Sequence, residues 1–421
     1  MRSFVLCITL SLLFSLTVLM APSAQAQTFS LIYNFTGGAD GAHPYAGVTI
    51  DARGNLYGTT NVGGNAACNS PHGCGSVYEL KPKGPSFVLN PLYSFGPPPD
   101  AGIANAPVVF GPDGALYSTT SYGGTYGKGA IFKVRPTPTA CRTALCPWSE
   151  TVLYSFAGGA NGDGANPIGL IFDHAGNIYG ATSGGGTYGH GTGYEMTSSG
   201  GVWTDSILHI FGGGSDGSIP YRSVLVFDGA GNLYGTTSLG GLYGYGTVFQ
   251  LMPSGGGWTE NVIYNFQDGQ DGGYPYSGLI FDQSGNLYGT TTDGGMGGGG
   301  VIFELSPSGG GWNYVVLYSI AGPAGYSCGP AWALTTDTAG NLYDTTQCDG
   351  ANGLGNVFKL TNAGGSWTYT SLHDFAGGSN DGEFSASSVT IDQSGDLYGA
   401  TTYGGSGPCN AGCGVVWEIK P

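Results

Sequence analysis

Five aspartates sit in a recurring D-G-x-x-[PS] segment, each four residues before a Pro or Ser: Asp40, Asp163, Asp216, Asp271 and Asp381. Carboxylates repeated at one station could form a ring of hard oxygen ligands, and such a ring would attract Ca²⁺, an amine or a cationic peptide. Asp-Gly is also a good turn, in which the carboxylate accepts from nearby backbone N–H groups. The turn reading is favoured, so no cofactor is expected, and Ca²⁺ is the cation the ring reading would bring. A second set, Asp51, Asp173, Asp228, Asp282, Asp337 and Asp392, precedes a G-N or G-D pair and reads as turn caps.

Other groups with chemistry are sparse. Eight cysteines follow Cys7 and cluster as Cys68 with Cys74, Cys141 with Cys146, Cys328 with Cys348 and Cys409 with Cys413. Their even number reads as four disulfides. Cys68, His72 and Cys74 have a spacing that zinc could use, but a fourth ligand is not evident. Trp148, Trp203, Trp258, Trp312 and Trp367 open equivalent apolar runs and read as packing residues, with glycan stacking as the alternative. His43, His72, His174 and His190 do not recur in register, whereas His209 and His373 do. No nucleophile elbow, phosphate loop or H-E-x-x-H motif occurs. No catalytic residue is assigned, and the expectation leans away from an enzyme.

The elements that must carry these residues come from a repeat. GNLYGTT or a close copy begins at residues 54, 114, 176, 231, 285, 340 and 395. A period of this length announces a repeat architecture. Each unit holds four short β-rich runs separated by Gly, Pro, Asn and Asp; in the fifth they are SGLIFD, GNLYGTT, GVIFELSP and WNYVVLYSI. The prediction is an all-β, seven-bladed β-propeller with four antiparallel strands per blade. The opening TFSLIYNF copies the fourth strand type and the closing GVVWEIKP the third, so the N-terminal strand should complete the last blade. GNLYGTT is then a second strand, its Leu and Tyr on opposite faces and its small Gly and Thr leaving room for the next blade. In such a meander, fourth-to-first connections and second-to-third loops share one face, which should carry binding. It should also bring Cys328 to Cys348.

Residues 1–26 combine Arg2, an apolar run and Ala24-Gln25-Ala26, the pattern of a cleaved secretory leader. Residues 27–421 are expected to form one domain, a monomer without a membrane span after cleavage, secreted or periplasmic. A net charge of −16 argues against nucleic acid and anionic membranes as partners.

G-x-[IV]-[FY]-x-[LV]-x-P, W-T-x-x-[VI]-[LI]-Y-x-F, G-G-x-D-G-x-x-P and GNLYGTT recur in order, and the combination resembles the bacterial Gloeo/Verruco tandem-repeat family over residues 28–421. In blade layout that family is similar to NHL-type propellers. The resemblance implies an exported propeller of unassigned activity, often with a C-terminal anchor. Here the sequence stops at Pro421 after a blade strand, and the free secreted form is expected. The expected function is a binding or scaffold module for an extracellular protein or glycan. The alternatives are a propeller hydrolase or lyase acting on polysaccharide, and a structural envelope component.

Overall fold

A computed structural model describes residues 27–69, 72–137, 148–159, 162–322, 328–330 and 332–421. The expected leader and the Cys141/Cys146 pair lie outside the described residues. The chain forms a seven-bladed β-propeller. In the fourth blade the strands run Val226–Phe227, Leu233–Thr237, Thr247–Ser254 and Gly257–Asn265 from axis to rim, each antiparallel to the next. Thr28–Asn34 pairs antiparallel with Val415–Lys420, bringing Thr28 opposite Lys420 and closing the ring as expected.

The second strands are buried on both faces, as in Leu56–Thr60 and Leu233–Thr237. Hydrophobic clusters lie between blades: Leu233, Phe249 and Leu251 of the fourth pack with Tyr179, Leu208 and Phe211 of the third. The glycine of GNLYGTT, however, does not make room for the next blade. It lies opposite an aromatic of its own third strand, Gly58 facing Tyr78 and Gly235 facing Phe249. A Cβ on Gly58 would stand 2.3 Å from the Tyr78 hydroxyl, so the ring excludes any side chain. The first Thr does meet the neighbour: Thr236 donates to the Ser277 carbonyl at 2.7 Å and Thr345 to that of Ser387 at 2.7 Å.

A bulge recurs between third and fourth strands just before that aromatic, at Val77/Tyr78, Val248/Phe249 and Val357/Phe358. An extra residue in the fourth strand bends it and raises its twist. The sequence repeat does not announce the bulge, because the inserted residue is an ordinary Leu or Ile.

Candidate functional site at the axial mouth

Fourth-to-first connections and second-to-third loops share one face, as expected. They bridge each other at Ala42/Val62, Ser218/Leu239 and Gly273/Asp293. Within six of the seven connections a residue of varied type takes a left-handed backbone: His43, Ile103, Asn166, Ile219, Tyr274 and Phe384. Its N–H donates to the preceding blade, as Ile219 does to the His190 carbonyl at 2.9 Å and Tyr274 to that of Tyr245 at 2.9 Å. Its own carbonyl accepts from its blade's second-to-third loop, as Ile219 does from Ser238 at 2.9 Å. These paired bonds fix the next residues rigidly at the axis.

Two and three residues further on, the chain lines the axial mouth. Three residues before the first strands stand Ala46, Ala106, Ile168, Ser223, Ser277, Trp332 and Ser387, with Arg222 as an extra residue just ahead of Ser223. Ala46, Ala106 and Trp332 form one cluster although they come from the first, second and sixth blades, which locates the axis. Trp332 fills one side of the mouth. Arg222 lies beside it, only 4% exposed, with its guanidinium 4.5 Å from the Tyr45 ring, 5.4 Å from Tyr221 and 5.7 Å from Trp332. Burial raises the Tyr45 hydroxyl above its ordinary pKa, and the Arg222 charge opposes that shift.

On the other side of the mouth a cavity of about 310 Å³ opens, bounded by Arg222, the Tyr45 and Tyr221 rings, the amides of Asn105 and Asn166, the Ser121 and Ser183 hydroxyls, and Ile168. Asn105 donates to the Ser121 hydroxyl at 2.9 Å, which holds its amide in place. Apolar rings with a few fixed polar groups are the usual composition of a small-ligand site.

The five D-G-x-x-[PS] aspartates do not bound this cavity. Each carboxylate turns back to the strand before it. Asp40 accepts from the Thr36 N–H at 2.8 Å and the Tyr33 hydroxyl at 3.0 Å, Asp163 from Ala157 N–H and Tyr154, and Asp271 from Gln267 N–H and Tyr264. His209 and His373 replace the tyrosine and meet Asp216 and Asp381. Burial lowers the His209 pKa against the opposing pull of Asp216. Asp100 occupies the same station in the turn before the second blade, accepting from Gly96 N–H and Tyr93. Its P-D-A-G setting hid it from the motif. The second aspartate set caps turns: Asp228 accepts from Ala230 N–H, Asn232 N–H, the Asn232 amide and the Tyr234 hydroxyl.

A further acid joins that station at three consecutive seams. Glu150, Asp205 and Glu260, each two residues past a fourth-strand tryptophan, face Asp100, Asp163 and Asp216 of the preceding turn. Other seams put Tyr314 stacked on Tyr264 at 4.0 Å, or Phe29 on His373 at 3.5 Å. Burial, then a hydrogen bond to Asp100, pushes Glu150 up to about 9. Burial and the neighbouring aspartate push Asp205 and Glu260 up to about 7. Asp100 and Glu150 border a groove of about 500 Å³ with Tyr93 and Tyr154.

Cys68–Cys74, Cys328–Cys348 and Cys409–Cys413 are disulfides, with Cα–Cα separations of 5.5, 4.9 and 5.0 Å. The first removes Cys68 and Cys74 as zinc ligands, and no metal-holding cluster of His, Cys, Asp and Glu occurs among the described residues. Disulfides fit an oxidising compartment. No helix among the described residues is long and apolar enough to cross a membrane. Trp258, Trp312 and Trp367 pack edge-on against Tyr179, Tyr234 and Tyr288 of the preceding blade.

The Gloeobacter/Verrucomicrobia repeat profile matches residues 13–151, 145–328 and 260–421. No curated protein matches the sequence. Among solved structures, a gluconolactonase from Xanthomonas campestris is 14% identical with a TM-score of 0.40, covering 73% of this chain and 82% of its own. A protein of unknown function from Dyadobacter fermentans is 11% identical with a TM-score of 0.45, covering 93% and 98%. Both likenesses are too remote to transfer an activity.

Proposed function

The chain belongs to the Gloeobacter/Verrucomicrobia repeat family, and we propose that this protein is an exported, non-enzymatic binding module whose axial mouth holds an extracellular glycan. The observation that carries the reading is the cavity beside Arg222, where two tyrosine faces, two amides and two hydroxyls converge. Aromatic faces suit the C–H face of a sugar ring, and amides and hydroxyls suit its OH groups. The disulfides and the leader pattern of residues 1–26 support export.

A glycan array probed with the full chain tests this. Ser183→Trp, which places an indole at the cavity rim, should abolish the hits; hits that survive it would move the binding surface elsewhere and sink the reading.

The alternative, an extracellular polysaccharide hydrolase or lyase, draws on the raised Glu150 carboxyl in the groove it shares with Asp100. Geometry disfavours it. Those two carboxyls lie close enough for Asp100 to raise the Glu150 pKa directly, whereas a glycosidase pair stands about 5 Å or more apart with the scissile bond between. Sugar release that disappears in Glu150→Gln would reverse the order of the two readings.

A further inference from the structure

We infer that the axial cavity selects a sugar bearing a carboxylate, a uronic acid unit of an acidic polysaccharide, and that Arg222 is the selecting residue. The inference rests on the reading of this cavity as a glycan site and adds the chemical class of the ligand.

Arg222 breaks the sevenfold pattern. It is an extra residue: Ser223, three residues before the first strand of its blade, matches Ala46, Ala106, Ile168, Ser277, Trp332 and Ser387, and its hydroxyl accepts from the Thr236 N–H at 2.7 Å as that of Ser387 does from Ala400 N–H at 3.0 Å. A fold assembled from repeats has no structural need for an inserted cation in one of its seven connections. Its backbone departs as well: Arg222 has φ 55°, in the left-handed region that a side chain with a Cβ rarely adopts. This is separate from the recurring left-handed residue, which in the same blade is Ile219. Such conformations persist where the surroundings hold them, and they gather at ligand sites.

The placement suits an anion. Arg222 is 4% exposed yet bounds the cavity, so its charge acts close to a ligand with little screening. The rings of Tyr45, Tyr221 and Trp332 surround the guanidinium and hold it in place. A fixed guanidinium presents its N–H donors as a planar fork, which matches a carboxylate better than a hydroxyl. The other groups bounding the cavity are tyrosines, amides, serines and an isoleucine, none of them acidic. On a chain with a net charge of −16, attraction of an anion must come from a local group, and Arg222 supplies it. The cavity volume is at the low end of the range for small ligands, about 300–1,000 Å³. That is enough for a chain end or a short stretch of a polysaccharide.

Calorimetric titration of the full chain with trimers of galacturonate, glucuronate and mannuronate, each alongside its methyl ester, provides the test. Methyl esterification removes the charge and keeps the shape of the sugar. At least one acid should bind ten-fold or more tightly than its ester. Arg222→Gln should bring the acid-to-ester affinity ratio to about one, and Arg222→Lys should recover only part of the difference. Equal affinity for acid and ester, or an acid affinity indifferent to Arg222→Gln, would overturn the inference; if Ser183→Trp still blocked both, the glycan reading would survive. Failure of every acid and every ester to bind the native chain would overturn both. The acid-to-ester ratio on the native chain and the effect of Ser183→Trp decide the matter if Arg222→Gln does not fold.

Discussion

Asp344 stands where five copies of the second strand have glycine and the second blade has Ser118. It is fully buried, and neither carboxyl oxygen has a hydrogen-bond partner among the described residues. Burial holds its pKa well above the ordinary carboxylate range. A group whose folded pKa is raised binds its proton more tightly folded than unfolded. Its contribution is therefore fully present below the unfolded pKa, near 4, and declines as the pH rises towards the folded value. Ser118 shows what the site tolerates, its hydroxyl donating to the Pro107 carbonyl at 2.9 Å. Asp344→Ser should accordingly raise stability at both pH values by the cost of an unsatisfied buried polar group, about 1–3 kcal/mol, and by more at pH 7 than at pH 4, because the buried carboxyl holds its proton more tightly folded than unfolded. Denaturant titrations at the two pH values measure the difference, and equal effects at both would refute the assignment. Arg222 and Asp344 are both visible in the sequence as departures from register, P-Y-R-S among P-Y-A-G and P-Y-S-G, and GNLYDTT among GNLYGTT. Motif reading favours what recurs, so it finds the turn aspartates and passes over the residues that differ.

At the scale of the elements, the seam between fourth strands is where blades differ most. Asp205 titrates near 7 because it is buried and faces Asp163. The sign is that of Asp344: the favourable contribution is complete below about pH 4 and lost between about 4 and 7. Asp205→Asn should raise the unfolding midpoint at pH 8 by a few degrees, at most about 4 kcal/mol, with no gain at pH 4. A gain at pH 4 as large as at pH 8 would show that charge is not the cause. Within the blade, glycine and aromatic form a fixed pair. A Cβ at Gly235 would lie 2.7 Å from the Phe249 ring and 2.8 Å from Leu225. Gly235→Ala should cost about 1–3 kcal/mol through overpacking, and Phe249→Leu in the same chain should recover part of it. The strands, their order and the shared loop face were legible because Gly, Asn and Asp punctuate a period-2 pattern. The left-handed entry residues were not: His43, Ile103, Asn166 and Phe384 share a backbone conformation but no side-chain chemistry, and only the hydrogen bonds between blades impose it.

For the whole molecule, closure decides stability. Without Thr28–Asn34, the strand Val415–Lys420 would present an open edge of unpaired backbone groups. Deleting residues 28–34 should shift the elution on size exclusion towards larger species, and an unchanged profile with an undiminished midpoint would show that closure is dispensable. Cys328–Cys348 ties a connection to a loop across 20 residues. Replacing both with serine should lower stability by about 3 kcal/mol on the loop-entropy estimate, read as a drop in the thermal midpoint under non-reducing conditions.

The pairing of Thr28 with Lys420 makes the polypeptide in effect a circle with a single nick, and that nick falls within a sheet. Where the nick lies is a matter of genetics more than of mechanics. Joining residues 421 and 28 through a short linker and reopening the chain in the Ser308–Gly311 hairpin, whose two central glycines have φ 56° and 94°, would reorder the blades in the gene and leave their neighbours in space unchanged. Such a permutant would have an intact seventh blade and a nicked fifth, which makes the location of the weakest seam a design variable.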